Sequence, residues 1–417
     1  MAKRRILCLS NGHGEDLNAT LVIRALRQLD PTVRVTAMPI VGEGQAYRKL
    51  GIPIIGPTDS LPSGGFNYIN FARFLNPRNW VRDKNPISLC RDLFSGLVFL
   101  IWRQCRATCR HSRTCDLLFA TGDIVPILFA LLTGKPFVVF LVSTSAYYEG
   151  HVKLPLVLKW GLRSRRCQRI LTRDGYTAQD LQRRGFHRAI FAGYPIMDTL
   201  APTGKAIKRE SCYPLIALLP GSRLPEAKQN FSLMLRLCEA IAARFPAQFE
   251  AALVPQLAAE QVGTLAQAQG WQATQAGVLT HGPVTVGYHY GLFADILHHC
   301  DLVIGMAGTA VEQAVGLGKP VVQIPGAGPQ FTYLFAEAQM RLLGLSVVTV
   351  GNHAADQATL EAAADRIGAL LADRDYLKAC IANGQERVGL PGGSVAIAQT
   401  LLDTLAGLDT KARVAPV

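Results

Sequence analysis

The sequence predicts an α/β fold of two Rossmann-like, doubly wound domains facing a cleft. Three observations predict it. Short apolar runs alternate with segments of helical period, the rhythm of parallel strands joined by helices. The rhythm runs twice, broken once by a polar stretch without periodicity. The 417 residues also exceed what one typical core organises. An apolar content of 49% against 18% charged residues excludes a disordered chain.

In the first series, strands are expected at Ile6–Leu9, Arg34–Met38, Leu117–Ala120, Phe137–Leu141, Arg169–Leu171 and Ala189–Phe191, with helices such as Leu17–Gln28 and Thr177–Arg184 between them. The longest apolar stretch, Ile124–Val142, contains Pro126, Gly134, Lys135 and Pro136. It reads as helix, turn and buried strand rather than a membrane span. Pro195–Tyr213 is polar, carries Pro202 and Gly204, and reads as a linker. The second series places strands at Leu215–Leu219, Phe249–Val254, Val278–Leu279, Leu302–Ile304, Val321–Ile324 and Val347–Val348. Its helices are Gln229–Arg244, Glu260–Gln269, Val311–Leu317, Phe331–Leu343 and Thr359–Leu370, and the tail restarts as a helix at Ser394–Ala406. The expected division is therefore 1–200, 201–390 and a C-terminal helix and tail, 391–417.

The net charge of +13 is one-sided: residues 1–200 hold 28 of the 43 Lys and Arg but only 13 of the 30 Asp and Glu. Such a field favours a polyanionic surface, either anionic lipid or nucleic acid. Within Leu61–Cys115, aromatic residues (Phe66, Trp80, Phe99 and Trp102 among them) interleave with Arg73, Arg82, Arg103 and Arg106. That is the chemistry of a membrane-interface anchor, and equally of a long core helix, Leu89–Arg110, with a basic solvated face. No RRM, KH, zinc-finger or helix-turn-helix signature accompanies it, so nucleic acid is not expected. Ten cysteines without a disulfide-scaffold pattern suit a reducing cytoplasm. Cys105, Cys109, His111 and Cys115 lack paired C-x2-C knuckles and read as thiols on a helix rather than a zinc site.

Four strand ends turn into helices through segments that can carry chemistry, at the edge where open parallel sheets bind ligands. The first is Ser10–Asp16, where Gly12 and Gly14 permit close backbone approach and His13, Glu15 and Asp16 titrate. Asp16 is also a natural first-turn or N-cap acid. The second is Ala120–Asp123, whose carboxylate can take a proton from an attacking hydroxyl or simply cap a helix. The third is Leu219–Arg223, where Gly221, Ser222 and Arg223 can hold a diphosphate, or Ser222 can serve as an N-cap. The fourth is Gly305–Glu312, where Gly308 and Thr309 open a helix N-terminus to phosphate and Glu312 can reach ribose hydroxyls. Thr309 and Glu312 also match a capping box. Pro325–Gln330 forms a further loop at this edge, ending in the candidate ligand contact Gln330. There is no P-loop. Asp373-Arg374-Asp375 reads as a solvated helix face, so no metal is expected.

Taken in order, these segments resemble lipid-A-disaccharide synthase and its relatives among the GT-B glycosyltransferases, and more narrowly the lipid-A-disaccharide synthase-related proteins of cyanobacteria. Leu218–Arg223 with Glu226 is similar to the family's donor-domain motif, and Gly308–Glu312 with Gly318–Val322 to its UDP-binding turn. Gly122-Asp123-Ile124 stands where the family has its catalytic Asp, and Phe191–Asp198 resembles its interdomain motif with Tyr194 in place of His. His13-Gly14-Glu15 departs from the synthase loop and is similar to that of the MurG-type transferases. The departures lie on the acceptor side, so the acceptor need not be a lipid A precursor.

The resemblance implies an inverting hexosyl transfer from a UDP-sugar to a lipid or lipid-linked acceptor, with no cofactor beyond the co-substrate. The first domain would bind acceptor and face an anionic membrane, and the second would bind donor, placing the protein peripherally on the cytoplasmic membrane. Asp123 would be the base with His13 its competitor, and Gly12, Gly14 and Asp16 would form the acceptor loop. Gly221, Ser222, Arg223, Gly308, Thr309, Glu312 and Gln330 would hold the nucleotide. A UDP-sugar 2-epimerase and a non-catalytic nucleotide-sugar or lipid-binding protein remain as alternatives.

Overall fold

The computed structural model describes residues 4–58, 97–205, 207–210, 212–306, 308–326 and 332–414, without the side chains of 411–414. Gln330, and the part of the aromatic-basic segment before residue 97, lie outside the described residues. The chain forms two compact units, Met1–Asp198 with Pro391–Val417, and Thr199–Leu390.

The first unit is built on a six-stranded parallel sheet: β1 (Arg5–Ser10), β2 (Arg34–Pro39), β3 (Leu117–Thr121), β4 (Phe137–Leu141), β5 (Cys167–Thr172) and β6 (Ala189–Ile190). The spatial order is β2-β1-β3-β4-β5-β6. β3 and β4 are buried at every residue, which is why they read as unbroken apolar runs. The described helices are α1 (His13–Leu29), α2 (Gln45–Lys49), α3 (Leu97–Ser112), α4 (Ile124–Thr133), α5 (Leu156–Arg163) and α6 (Gly175–Arg183). Ile124–Val142 is helix, turn and strand as expected: α4 stops at Gly134, whose φ of +74° suits a residue without Cβ, and β4 follows. From β1 the chain winds outward to β2, then crosses to β3 on the other side of β1. The turns leaving β1 and β3 therefore part at a switch point, where doubly wound sheets bind ligands.

The second unit holds β7 (Leu215–Leu219), β8 (Gln248–Leu253), β9 (Gln272–Gln275), β10 (Val278–His281), β11 (Val284–Tyr290), β12 (Leu302–Gly305), β13 (Val321–Gln323) and β14 (Val347–Thr349). Their order is β14-β13-β12-β7-β8-β11-β10-β9. The helices are α7 (Glu226–Ala242), α8 (Ala259–Gln267), α9 (Phe293–His299), α10 (Gly308–Gly316), α11 (Tyr333–Leu343), α12 (Gln357–Ala372) and α13 (Arg374–Arg387). β7 lies between β8 and β12, so the second switch point falls between β7 and β12. One feature departs from a purely parallel sheet: β10 runs antiparallel to both β9 and β11. Phe231 and Phe249 are buried in one core with Trp271, whose Nε1 donates to Glu239 Oε1 at 2.7 Å. The chain then returns to the first unit as α14 (Gly393–Val414), which packs on α1. The tail is thus part of the first unit and not a separate appendage.

Candidate functional site

At the first switch point, β1 and β3 end side by side, Ser10 opposite Thr121. Asp123 follows directly and caps α4, accepting from Val125 N at 3.1 Å. Asn11 Nδ2 donates to the same Oδ1 at 2.6 Å, so no described hydrogen bond engages Oδ2. The capping role and an available carboxylate oxygen therefore coexist. Burial pushes the Asp123 carboxyl above its ordinary range, and the nearby Glu15 charge adds to this against the bonds from Val125 and Asn11. Gly122, at φ +136°, lets the turn pass Asn11: a Cβ there would sit 2.0 Å from Asn11 Oδ1.

The loop after β1 divides its titratable groups. α1 begins at His13, with Gly12 before it and no side-chain cap. His13 is exposed, its Cε1 lying 3.3 Å from where a Cβ on Gly42 would be. Gly14 borders open space. Glu15 Oε1 accepts from Ser143 Oγ at 2.5 Å. Asp16 corrects the expectation of an acceptor-facing acid, because it is only 1% exposed. It accepts from Ser10 Oγ at 2.6 Å, and Tyr47 OH lies 2.7 Å from the same hydroxyl. Burial raises its carboxyl to about 7. Asp16 shapes the loop from beneath.

At the second switch point, Leu219 pairs with Gly305, and Met306 N donates to Leu219 O at 3.0 Å. The turn after β7 uses Gly221 at φ +106° and is held from α7 by Asn230 Nδ2, which donates to Pro220 O at 2.8 Å. Ser222 and Arg223 are exposed. Ser222 does not cap the helix, which begins only at Glu226. Gly305 lets β12 meet the next helix, since a Cβ would lie 2.7 Å from Val311 Cγ2. α10 starts at Gly308, so Thr309 sits inside the first turn. Glu312 is half-buried one turn on. A buried relay holds this start: Gln339 Nε2 donates to Gly308 O at 3.1 Å, and Gln323 donates to Gln339.

The sequence reading therefore names residues at both switch points, but not the supports Asn11, Tyr47, Ser143, Asn230, Gln323 and Gln339. Gln323 stands out in sequence as a polar residue within an apolar run, and the others carry no such signal. Among the described residues no group of His, Cys, Asp and Glu is arranged to hold a metal. His111 Nε2 lies 3.0 Å from Thr36 Oγ1, and Cys115 Sγ donates to His111 O. Asp373 caps α13 through Tyr376 N and is not part of a continuous helix face.

No family model matches the chain. A lipid-A-disaccharide synthase from Geobacter sulfurreducens is 27% identical over 232 residues, 52% of this chain and 57% of that protein. The match thus spans little more than half the length of that relative. Among solved structures, a spinosyn rhamnosyltransferase complexed with thymidine diphosphate superposes with a TM-score of 0.56 at 14% identity, over 95% of this chain and 100% of that one. A UDP-GlcNAc 2-epimerase from Neisseria meningitidis bound to UDP-GlcNAc gives 0.53 at 14%, over 96% and 100%. These likenesses run through both units, and they establish the fold: two α/β domains of the GT-B type, shared by glycosyltransferases and these epimerases.

Proposed function

We propose that the chain is an inverting glycosyltransferase that moves a sugar from a UDP-sugar to a lipid or lipid-linked acceptor. The observation that carries this reading is the pair of glycine turns leaving the adjacent strands β7 and β12 at the second switch point. They bring the exposed Ser222 and Arg223 and the first turn of α10 to one sheet edge. Backbone N–H groups of the helix start, its dipole and the Arg223 guanidinium suit a leaving diphosphate. Glu312, one turn on, suits the ribose, and Gln330 is assigned to the nucleotide by its place in the sequence, at the end of the loop that follows β13.

In this reading Asp123 Oδ2 takes the proton of the acceptor hydroxyl as its oxygen attacks the anomeric carbon and UDP departs. Asn11 and Val125 fix the carboxylate through Oδ1. The partial likeness to lipid-A-disaccharide synthase supports a lipid acceptor. So do exposed apolar and aromatic side chains of the first unit. Leu156 and Trp160 on α5 are 83% and 67% exposed, and Phe99 and Trp102 on α3 are also exposed. Arg103 and Arg106 lie over the Phe99 and Trp102 rings. α3, α4 and α5 contain no Asp or Glu. Such exposed rings beside arginines suit anionic lipid on the cytoplasmic side of a membrane. No described helix is long and apolar enough to cross one.

Thermal shift against UDP, TDP, GDP and CMP tests the donor class: stabilisation by UDP above the others is expected. Asp123→Asn should lower turnover by about 10²- to 10⁴-fold with UDP affinity intact, whereas normal turnover would remove Asp123 as the base. The epimerase reading draws on the fold shared with the UDP-GlcNAc 2-epimerase. It predicts isomerisation of a UDP-sugar with no acceptor present. Binding of UDP-sugar without transfer or isomerisation would favour the non-catalytic alternative.

A further inference from the structure

We infer that the second unit carries another ligand site, a saccharide groove on the outer face of β8 and β11. It is a cavity of about 1210 Å³ bounded by the start of β8, the β9–β10 turn, β11 and the residues Lys205, Ile207, Lys208, Glu210 and Tyr213. Its floor begins at Gln248, which pairs with Leu215 at the opposite end of β7 from the glycine turn. Leu215 and Leu219 lie four residue steps apart along the strand, about 13 Å.

The two strands alternate cleanly. Phe249, Ala251, Val286 and Tyr288 enter the core, which turns Glu250, Gly287 and His289 to the other face. Parallel sheets usually bury both faces in apolar contact, yet a carboxylate stands here. Glu250 is 8% exposed. Its Oε2 lies 2.7 Å from His289 Nε2, and its Oε1 accepts from Gln248 Nε2 at 2.9 Å. Gly287 makes the room, because a Cβ there would meet Glu250 Oε2 at 2.1 Å. The wall is built as well: Glu210 N donates to Gln248 Oε1 at 3.1 Å, and Gln248 donates to Lys208 O.

The lining defines the ligand class. Lys205 and Lys208 are matched by Glu210 and Glu250, and Arg244, which also lines the groove, is paired with Asp365, so neither anions nor cations are favoured. When Nε2–H of His289 donates to Glu250, Nδ1 is left to accept, alongside the Thr285 hydroxyl on the same face. Tyr213, 37% exposed at the wall, adds a flat apolar surface with a polar tip. Mixed donors and acceptors beside an aromatic face fit a neutral polyhydroxylated ring, and the volume admits more than one.

Saturation-transfer NMR on the full chain with glucose, N-acetylglucosamine and diacetylchitobiose at millimolar concentration tests this, with and without saturating UDP. Signals that persist with UDP and fall at least tenfold in His289→Ala and in Thr285→Trp are expected. Thr285 is exposed, so the second variant blocks the groove without disturbing the core. No saccharide signal, signals removed by UDP, or signals unchanged in both variants would overturn the assignment, as would inorganic phosphate binding in place of every sugar. The test reads binding alone, so its result stands apart from whether the chain transfers a sugar.

Discussion

Two acids around the turn after β1 show how burial separates chemistry that sequence alone leaves together. Asp16 and Asp123 both lie just beyond glycine-containing turns that leave strands, but Asp16 is sealed beneath the loop and Asp123 is half-buried at its edge. Because Asp16 titrates near 7 in the folded chain and near 3.9 when unfolded, the folded state holds the extra proton between those values. The stability this contributes is present below about pH 4 and is lost as pH rises towards 7. Asp16→Asn should therefore flatten the stability profile, which urea unfolding at pH 5 and pH 8 would reveal. An equal pH dependence in the variant would count against this. Asp123 is raised too, so as a base it would place the acid limb of the rate profile above the ordinary carboxylate range, with activity rising through that limb. His13→Ala should leave the limb in place, whereas a limb lost with His13 would make the imidazole the base.

The elements were legible where burial is two-sided and obscure where it is not. Phe137–Leu141 and Leu215–Leu219 begin and end where the apolar runs do, since each residue is covered. β9 is exposed at all four residues, and no hydrophobic pattern marks it. β11 alternates between covered and outer positions, with Thr285, Gly287 and His289 on the outside, and the expected strands, which follow unbroken apolar runs, do not include it. The switch-point loops could be picked out as turns after strands. Which strands would be neighbours could not, and so Asn11 and Asp123, 112 residues apart in sequence, could not be paired. The motif Phe191–Asp198 was legible but its partner was not. Asp198 Oδ2 accepts from Ser394 N at 2.7 Å, capping α14 from far along the chain. Beside it, a Cβ on Gly393 would lie 2.6 Å from Tyr194 N and 2.7 Å from Gly193 C. Asp198→Ala should cost about 0.5–2 kcal/mol as a lost cap, and Gly393→Ala about 1–3 kcal/mol or more, because backbone must move. Both are measurable by urea unfolding followed by circular dichroism, and an unchanged midpoint for Gly393→Ala would mean that the two segments part easily.

At the scale of the molecule, charge and architecture divide together. The excess of Lys and Arg lies in residues 1–200, within the unit that holds Asp123, while the unit with the glycine turns of β7 and β12 carries none of that excess. In the proposed reading, a basic half whose helices α3, α4 and α5 hold no Asp or Glu would be drawn to anionic lipid by two separable forces. The long-range part is screened, with a Debye length falling from about 10 Å at 0.1 M salt to about 3 Å at 1 M, and each basic residue near the surface contributes about 1 kcal/mol. The short-range part is burial of Leu156, Trp160, Phe99 and Trp102, which salt does not weaken. Co-sedimentation of the full chain with vesicles of phosphatidylglycerol and phosphatidylcholine should separate them. Binding should require the anionic lipid and decline with salt. Leu156→Ser with Trp160→Ser should weaken it several-fold at every salt concentration, and Arg103→Gln with Arg106→Gln mainly at low salt. Equal binding to pure phosphatidylcholine would show that charge plays no part, and a double serine variant that binds as the parent does would show that α5 stays clear of the lipid.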